Sequence, residues 1–250
     1  MTGARVPLRT ALESPGAKHR YVRGLFATIA DRYDLITVLL SFGRDARWKH
    51  RLVELAGPLQ GKSALDLACG TGDIAFALAS RGARVTGLDI TPRMVQIARG
   101  KSRSASVLVG DMMSLPFPDG HFDVVTTGYG LRNVPVLEGA LAEIARVLRP
   151  GGQFLSLDFN HPSNALVRGV YFAYLTIVGS ALGYALHRDA DTYRYIPESL
   201  RRYPGALAVV RRLRAAGFAT AEWQPVLGGL MAIHSARKPA LSERSESNGP

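Results

Sequence analysis

The chain has 250 residues, of which 47% are apolar and 20% are charged, and its formal net charge is +11. This length and composition exclude a disordered or collagen-like chain and suffice for a sizeable buried core. A single cysteine, Cys69, excludes an intrachain disulfide, and the first twenty residues contain no apolar run typical of a signal peptide. We therefore expect a cytoplasmic protein.

The positive charge is concentrated in residues 1–51 and 188–214, whereas the stretch between them is nearly neutral. A basic surface attracts nucleic acid and anionic lipid alike, and a solvated arginine-rich face has the same composition. Charge alone therefore leaves the partner open.

The domain organisation predicted from the sequence is one domain between two tails. Residues 1–20 are basic and contain two prolines and two glycines, which predicts a flexible basic leader, and residues 240–250 lack a hydrophobic face, which predicts a disordered tail. Residues 21–239 form the predicted domain, with a helical cap over residues 21–60 and a helical insert over residues 160–203.

Short apolar runs alternate with helical segments after the cap, which is typical of βαβ units in a parallel sheet. We expect a doubly wound, Rossmann-like α/β sheet with an antiparallel hairpin at its C-terminal edge, a helical N-terminal leader and a helical insert. The predicted strands cover residues 63–68, 84–89, 107–110, 122–127, 153–159, 218–225 and 230–237. The predicted helices between them cover residues 73–80, 92–99, 136–148 and 205–216.

The insert contains an uncharged segment, Gly169–Leu186, of eighteen residues. It reaches the lower limit of a transmembrane span. Because it interrupts a soluble fold before the last helix and strands, we expect a helical cap at this place.

A glycine-rich turn follows the first predicted strand. Gly70-Thr71-Gly72-Asp73-Ile74-Ala75 fits the dinucleotide-binding pattern, and Asp89 ends the next strand, so an NAD-dependent dehydrogenase has to be considered. However, Asp66 lies four residues before Gly70, and a negative charge there favours a ligand with an ammonium group over a pyrophosphate. S-adenosylmethionine (SAM) combines an ammonium group with a ribose diol and no phosphate.

Each strand end then has a predicted role in binding SAM. Asp66 attracts the ammonium group, Gly70 and Gly72 let the backbone approach the methionine portion, Asp89 binds the ribose hydroxyls and Asp111 faces the adenine amine. For any one of these residues the alternative is an ordinary strand-end or turn residue. The full set of predicted SAM contacts is Asp66, Gly70, Thr71, Gly72, Asp89, Ile90, Asp111, Met112 and Gly128.

Several motifs together resemble the ubiquinone/menaquinone biosynthesis methyltransferase family, class I enzymes that C-methylate respiratory quinone precursors. The similarity covers about residues 20–238. The motifs that carry it are Leu65–Asp73, Gly87–Thr91, Gly110-Asp111, Gly-Leu-Arg-Asn-Val at 130–134, Arg146–Pro162, Tyr193–Ser199 and Gly228–His234. The resemblance implies SAM as methyl donor and a polyprenyl quinol as substrate, either demethylmenaquinol or 2-polyprenyl-6-methoxy-1,4-benzoquinol. A diverged enzyme for another isoprenoid or phenolic acceptor is the alternative.

The resemblance also implies a catalytic network that handles the quinol hydroxyl through water. Its residues here are Tyr33, Asp111, Arg132 and Asn133. We expect Arg132 to stabilise the developing phenolate and Asn133 to orient the ring hydroxyl, because a guanidinium stays protonated and is a poor base. The alternative is that Arg132 caps its strand or pairs with Asp34 or Asp123.

This chain departs from the family at the first signature. Ile36-Thr37 stand where the family usually has Met-Asn, and Asp45 stands where it usually has His. These positions lie near the predicted substrate cap, so the departures leave cofactor binding intact and the identity of the quinol open.

A prenylated substrate needs an apolar groove, which Gly169–Leu186 and Leu35–Phe42 can line. The basic stretches then predict peripheral contact with an anionic membrane surface. A homodimer is a further expectation.

Three other functions are disfavoured. A nucleic-acid methyltransferase is disfavoured because neither an RNA-binding module nor interleaved aromatic and basic residues are present. A dehydrogenase lacks a catalytic His-Asp or Tyr-Lys arrangement, and a non-catalytic scaffold has no reason to retain these acids. With no histidine pair at metal-ligand spacing and Cys69 alone, we expect no metal.

Overall fold

The computed structural model describes residues 8–241. Seven strands form one sheet: β1 Ser63–Leu67, β2 Arg84–Asp89, β3 Ser106–Val109, β4 Phe122–Gly128, β5 Leu148–Phe159, β6 Thr220–Val226 and β7 Met231–Arg237. The helices are α1 Leu8–Ala11, α2 Pro15–Ile29, α3 Tyr33–Leu40, α4 Asp45–Glu54, α5 Asp73–Ala79, α6 Pro92–Lys101, α7 Leu137–Val147, α8 Ala165–His187, α9 Asp191–Arg202 and α10 Ala206–Ala215. Short 3₁₀ turns cover Ala30–Arg32, Leu131–Asn133 and Leu227–Gly229.

The strand order is β3-β2-β1-β4-β5-β7-β6, with β1 to β5 parallel and β7 antiparallel to both of its neighbours. The predicted doubly wound sheet and its antiparallel C-terminal hairpin are thereby confirmed. The order reverses between β1 and β4, and in such sheets ligands bind in the crevice at that reversal.

Helices cover both faces of the sheet because its central strands are apolar on both sides. All of β1 is buried, and its residues alternate between two cores. Leu65 and Leu67 pack with α7 and α10, whereas Ala64 packs with α4 and α5. The carboxyl ends of the parallel strands are therefore held on a rigid base.

The predicted flexible leader over residues 1–20 differs from the structure over residues 8–20, which contain α1 and the start of α2. Ser14 caps α2 by accepting a hydrogen bond from the amide of Ala17, and Pro15 takes the first helical position, where its missing N–H is not needed. The Lys18 ammonium donates to the carbonyls of Arg132 and Val134 at 3.0 and 2.6 Å. Such contacts tie the helix to the domain. Residues 1–7, like residues 242–250 of the predicted tail, lie outside the described residues.

The insert is helical, as the sequence predicts, and consists of two helices. Helices α8 and α9 pack closely because α8 carries glycine at the contact: a Cβ on Gly179 would lie 3.3 Å from the Cβ and the carbonyl oxygen of Tyr193 in α9. Among residues 8–241, α8 is the one helix long and apolar enough to cross a membrane by length and composition, and most of its apolar residues are exposed. Such a helix is weak evidence for a span. Here α8 covers one side of a cavity described below.

Candidate active site

The turn after β1 forms the floor of a cleft at the carboxyl ends of the strands. Gly70 and Gly72 have φ angles of +54° and +97°, which favour glycine. A Cβ on Gly72 would lie 2.5 Å from the ring of Phe76, so a side chain does not fit there. At this turn the backbone can therefore approach a ligand without an intervening side chain.

Asp89 ends β2 and fixes the turn. Its carboxylate accepts hydrogen bonds from the amide of Gly70 at 2.9 Å and from the amide of Thr91 at 2.8 Å. Burial raises the pKa of Asp89 above its usual value, although these two hydrogen bonds oppose the shift. Each carboxylate oxygen keeps a further acceptor position for a ligand.

The next strand ends complete the cleft. Asp111 follows β3, accepts a hydrogen bond from the amide of Met113 at 2.9 Å and meets the imidazole of His19 at 2.8 Å. A Cβ on Gly128 would lie 2.6 Å from Ile74, so the backbone of β4 packs closely there. The predicted residues that line this cleft are Tyr33, Gly70, Asp89, Ile90, Asp111, Met112, Gly128 and Asn133.

Asp66 and Thr71 were predicted to contact SAM but do not line the cleft. The Asp66 carboxylate is fully buried on the α5 side of the sheet, where it accepts a hydrogen bond from the Thr126 hydroxyl at 2.8 Å. Burial raises the pKa of Asp66 to about 7. The Thr71 hydroxyl donates to Asp34 at 2.6 Å. Like Gly72, neither residue belongs to the lining of the cleft, and the direct contact between Asp66 and an ammonium group stays a prediction.

His19 is a cleft residue that the sequence reasoning missed. Helix α2 carries it over the Asp111 side of the cleft, with Val22 one turn further along. The Ser14-Pro15 pair, a helix-start signal, could have extended the predicted helix back to this residue.

A second, apolar cavity of about 610 Å³ adjoins the cleft. Its walls come from α2, α3, α8 and α9, so residues near both ends of the chain enclose it. Phe26, Tyr33 and Tyr129 line the cavity and the cleft alike. A molecule in the cavity and a molecule in the cleft would therefore meet at these rings.

Arg132 is buried in the wall of the apolar cavity. Its backbone amide donates to Asp158 at 3.1 Å and its guanidinium to the same carboxylate at 3.4 Å, while a second guanidinium nitrogen donates to Ser199. The guanidinium carbon lies 4.9 Å from the ring centre of Phe159, a cation–π distance. The alternative that Arg132 pairs with Asp34 or Asp123 is wrong, since its partner is Asp158.

Asn133 holds the loop after β4. Its amide nitrogen donates to the carbonyl of Tyr129 at 2.7 Å, and its amide oxygen accepts from the Tyr195 hydroxyl at 3.0 Å. Helix α9 is thereby connected to the loop that separates cleft from cavity. The Tyr33 phenol lies in the same region, where burial raises its pKa to about 12.

Asp45, one of the departures from the family, belongs to a buried polar network. It accepts a hydrogen bond from the Tyr129 hydroxyl at 2.6 Å and pairs with the Lys49 ammonium at 2.5 Å. Lys49 also pairs with Asp73 at 2.8 Å. Of the other two departures, Ile36 is buried in the cavity wall and Thr37 lines the cavity beside it.

The donor set of the cleft fits SAM. Two carboxylates at neighbouring strand ends can accept hydrogen bonds from a ribose diol and an exocyclic amine, and the glycine turn leaves room for a close approach of the backbone. Among the described residues, no group of three or more His, Cys, Asp or Glu side chains is placed to hold a metal ion. The strand order and this cleft define a class I SAM-dependent methyltransferase.

Comparisons with known proteins agree with that class. The sequence profile of the ubiE/COQ5 methyltransferase family matches residues 15–238, and the chain belongs to this family. The demethylmenaquinone methyltransferase of Thermus thermophilus is 42% identical, with 86% of this chain and 100% of the relative covered. The ubiquinone/menaquinone biosynthesis C-methyltransferase UbiE of Azotobacter vinelandii is 38% identical, with 89% and 91% covered.

Solved structures match the fold at lower identity. A Haloferax volcanii methyltransferase in complex with its Trm112 activator has a TM-score of 0.63 at 22% identity, with 86% of this chain and 97% of that chain covered. Phosphoethanolamine N-methyltransferase 2 of Haemonchus contortus in complex with SAM has a TM-score of 0.60 at 16% identity, with 94% and 61% covered. At such identities the likeness concerns the fold alone.

Proposed function

We propose that the protein transfers the methyl group of SAM to a ring carbon of a polyprenylated quinol, a reaction of quinone biosynthesis. The observation that carries this proposal is the meeting of a polar cleft and an apolar cavity at Tyr33 and Tyr129. The cleft offers carboxylates to a nucleoside, and the cavity offers apolar walls to an isoprenoid tail.

Demethylmenaquinol is the proposed substrate. The relative from Thermus thermophilus that supports it is a demethylmenaquinone methyltransferase and is covered over its whole length. The alternatives are 2-polyprenyl-6-methoxy-1,4-benzoquinol and another isoprenoid or phenolic acceptor. Ile36 and Thr37, in the cavity wall, are placed to affect that choice.

The cleft residues would hold SAM, which supplies a methyl group on a positively charged sulfur that needs no further activation. Asp89 would accept hydrogen bonds from the ribose hydroxyls and Asp111 from the adenine amine. Ile90 and Met112 provide the apolar surface beside the adenine, and Gly70 lets the methionine portion approach the backbone.

The residues at the junction have to make a ring carbon nucleophilic. A quinol becomes a carbon nucleophile as its hydroxyl loses a proton, and the positive charge of Arg132 stabilises the resulting phenolate. Asp158 fixes the direction of the guanidinium, and Asn133 fixes the loop that separates the two reactants. Alignment of carbon and methyl is worth up to roughly 7–11 kcal/mol in favourable systems, more than the roughly 3–5 kcal/mol of a positioned base.

A membrane surface is the proposed source of the prenylated substrate. Apolar side chains around the cavity are exposed on α8 and at the end of α3, with Leu166 77% and Phe42 72% exposed. Exposed apolar residues beside a basic surface are typical of proteins that lie on anionic membranes. Some of the arginines of the basic block 188–214 are engaged within the chain, as Arg201 is with Glu198 and Arg212 with Glu138.

A competition between substrates tests the proposal. The protein is incubated with methyl-labelled SAM and an equimolar mixture of demethylmenaquinol and the benzoquinol, and the products are separated by mass. We expect label on a ring carbon of the naphthoquinol. Label on the benzoquinol alone would reverse the head-group assignment, and label on neither would refute the proposed function. The cytoplasmic location, the homodimer and the absence of metal and nucleic acid stay predictions.

A further inference from the structure

We propose that Asp45 is the base that accepts the hydroxyl proton of the quinol. This inference rests on the proposed function and names the group that the mechanism still lacks. A ring hydroxyl must lose its proton as the carbon–carbon bond forms, and the proton needs an acceptor inside a largely apolar cavity.

The composition of the cavity wall points to Asp45. Among the described residues that line the cavity, Asp45 is the only carboxylate, and no histidine lines it. The other ionisable groups are Arg132 and several tyrosines. Arg132 stays protonated, and burial raises the pKa of Tyr171, Tyr193 and Tyr195 above the usual value, so these phenols also keep their protons.

The position of Asp45 agrees with this role. Its carboxylate accepts a hydrogen bond from Tyr129, and the Tyr129 ring lines both the cavity and the cleft. Asp45 is thus one hydrogen bond from the place where the two reactants meet. Because each carboxylate oxygen can accept two hydrogen bonds, the bonds from Tyr129 and Lys49 leave room for the quinol hydroxyl.

Lys49 and Tyr129 hold the carboxylate in one orientation. Lys49 contacts one oxygen of Asp45 and Tyr129 the other, and both are buried or partly buried. Burial opposes the charge on Lys49, yet the neighbouring Tyr33, Asp45 and Asp73 raise its pKa above the usual value. The ammonium is shared with Asp73, whose side chain is 43% exposed, so Asp45 is not its sole counter-ion.

The proposed transfer conserves protons and electrons. The quinol O–H bond breaks and its proton moves to Asp45, while the electron pair shifts through the ring to form the carbon–methyl bond. The sulfur–methyl bond breaks and its electron pair stays on sulfur, which becomes neutral. The ring carbon then loses its hydrogen to solvent as a proton, which restores the aromatic ring, and Asp45 returns its proton to the oxygen. One proton is released in total.

Asp45→Asn is the first test, because the amide keeps the shape and one acceptor but cannot take the proton. With demethylmenaquinol as probe, we expect kcat to fall at least about 100-fold, with the KM for the quinol and the Kd for SAM within about threefold of wild type. The matched control is Asp73→Asn, which removes the other carboxylate beside Lys49; its kcat should stay within about threefold. An equal fall in both variants would mean that Asp45 acts through Lys49, which overturns the proposal.

Asp45→His keeps the test decisive if the asparagine variant does not fold. An imidazole can also accept a proton, and its ordinary pKa is roughly 2.5 above that of a carboxyl group. We expect activity to persist with the acidic limb of kcat/KM displaced to higher pH. The groups that face residue 45 are the same in both proteins: Tyr33 from α3, Lys49 from α4, Tyr129 after β4, and Asp73 of α5 beyond Lys49. An unchanged acidic limb would overturn the proposal.

The proposed function and the role of Asp45 can be refuted separately. Wild-type protein that methylates no quinol refutes the proposed function and the role of Asp45 with it. Active wild type together with an Asp45→Asn variant of undiminished kcat refutes the role of Asp45 alone.

Discussion

The cofactor cleft and the apolar cavity share Tyr33 and Tyr129 but are built by different means. The cleft consists of turns and strand ends whose backbone amides are fixed by short-range hydrogen bonds, such as those that Asp89 accepts from Gly70 and Thr91. The cavity is enclosed by helices from opposite ends of the chain, which are held by apolar packing and by a few buried polar contacts such as Tyr195 to Asn133. A cleft fixed by local backbone hydrogen bonds suits a cofactor that does not vary. A cavity enclosed by packed helices can differ in shape where the substrate differs.

Removal of the Arg132 guanidinium, which lies where cleft and cavity meet, should have the largest effect on stability and on turnover. Arg132→Met leaves Asp158 buried without its partner, and breaking such a pair costs about 3–5 kcal/mol of unfolding free energy. We expect this loss in denaturant unfolding together with loss of turnover.

The double variant Arg132→Met, Asp158→Asn separates folding from catalysis. With both charges gone, most of the stability should return while turnover stays lost. Recovery of turnover in the double variant would show that Arg132 acts on the fold and not on the phenolate.

Asp66, buried behind the cleft, should make a pH-dependent contribution to the free energy of unfolding. Its pKa is about 7 in the folded protein against an ordinary value near 4, so the folded state binds the proton more tightly than the unfolded chain. The stabilising contribution is therefore complete below about pH 4 and is lost as the pH rises to 7. The difference in unfolding free energy between Asp66→Asn and wild type should rise by about 4 kcal/mol over that range.

Asp119→Asn is the control for this titration, because Asp119 is exposed and pairs with Arg146 at the surface. Because this ion pair is exposed, the unfolding free energy of Asp119→Asn should stay within about 1 kcal/mol of wild type. A flat difference for Asp66→Asn would mean that Asp66 does not take up a proton on folding.

Affinity for SAM should distinguish residues that line the cleft from those behind it. Asp89→Ala removes the proposed ribose contact and the two amide hydrogen bonds, so we expect the Kd for SAM to rise about 100-fold, or about 2.7 kcal/mol. Asp66→Asn should change this Kd by less than about threefold, because its side chain does not line the cleft. Calorimetric titration measures both, and equal losses would restore a direct role for Asp66.

A substitution at the exposed rim of the cavity should have the smallest effect, a weaker binding to membranes. Val170 on α8 is exposed, and replacing it by glutamate removes the transfer of one apolar side chain to lipid, about 1.5–3 kcal/mol. Binding to anionic vesicles should weaken at least tenfold for Val170→Glu. Leu207→Glu on α10, equally exposed but outside the cavity wall, should bind like wild type.

The sequence predicts the cleft better than the cavity, for a physical reason. The glycine turn and the acids at strand ends act within a few residues of their strands, so Gly70, Asp89 and Asp111 can be placed from local patterns. Asp66 could not be placed, because the pattern does not tell which face of the buried strand its side chain takes. Strand alternation puts it with Ala64 on the α5 side.

The cavity depends on contacts between distant parts of the chain. Tyr129 and Asp45 are 84 residues apart in sequence, and their hydrogen bond follows from the packing of α4 against the sheet. Arg132 and Asp158 likewise meet because β4 and β5 are neighbours. The helical character of the insert was predictable from its apolar run, whereas these pairs were not.

A comparison of tailed and tail-less substrates tests the central claim most directly. The protein is given methyl-labelled SAM with demethylmenaquinol or with the same naphthoquinol lacking its isoprenoid tail, and kcat/KM and the labelled position are measured. Two reactants that meet between cleft and cavity predict carbon methylation in both cases and at least about a 100-fold higher kcat/KM with the tail. Equal kcat/KM values, or a methyl group on oxygen, would contradict the account.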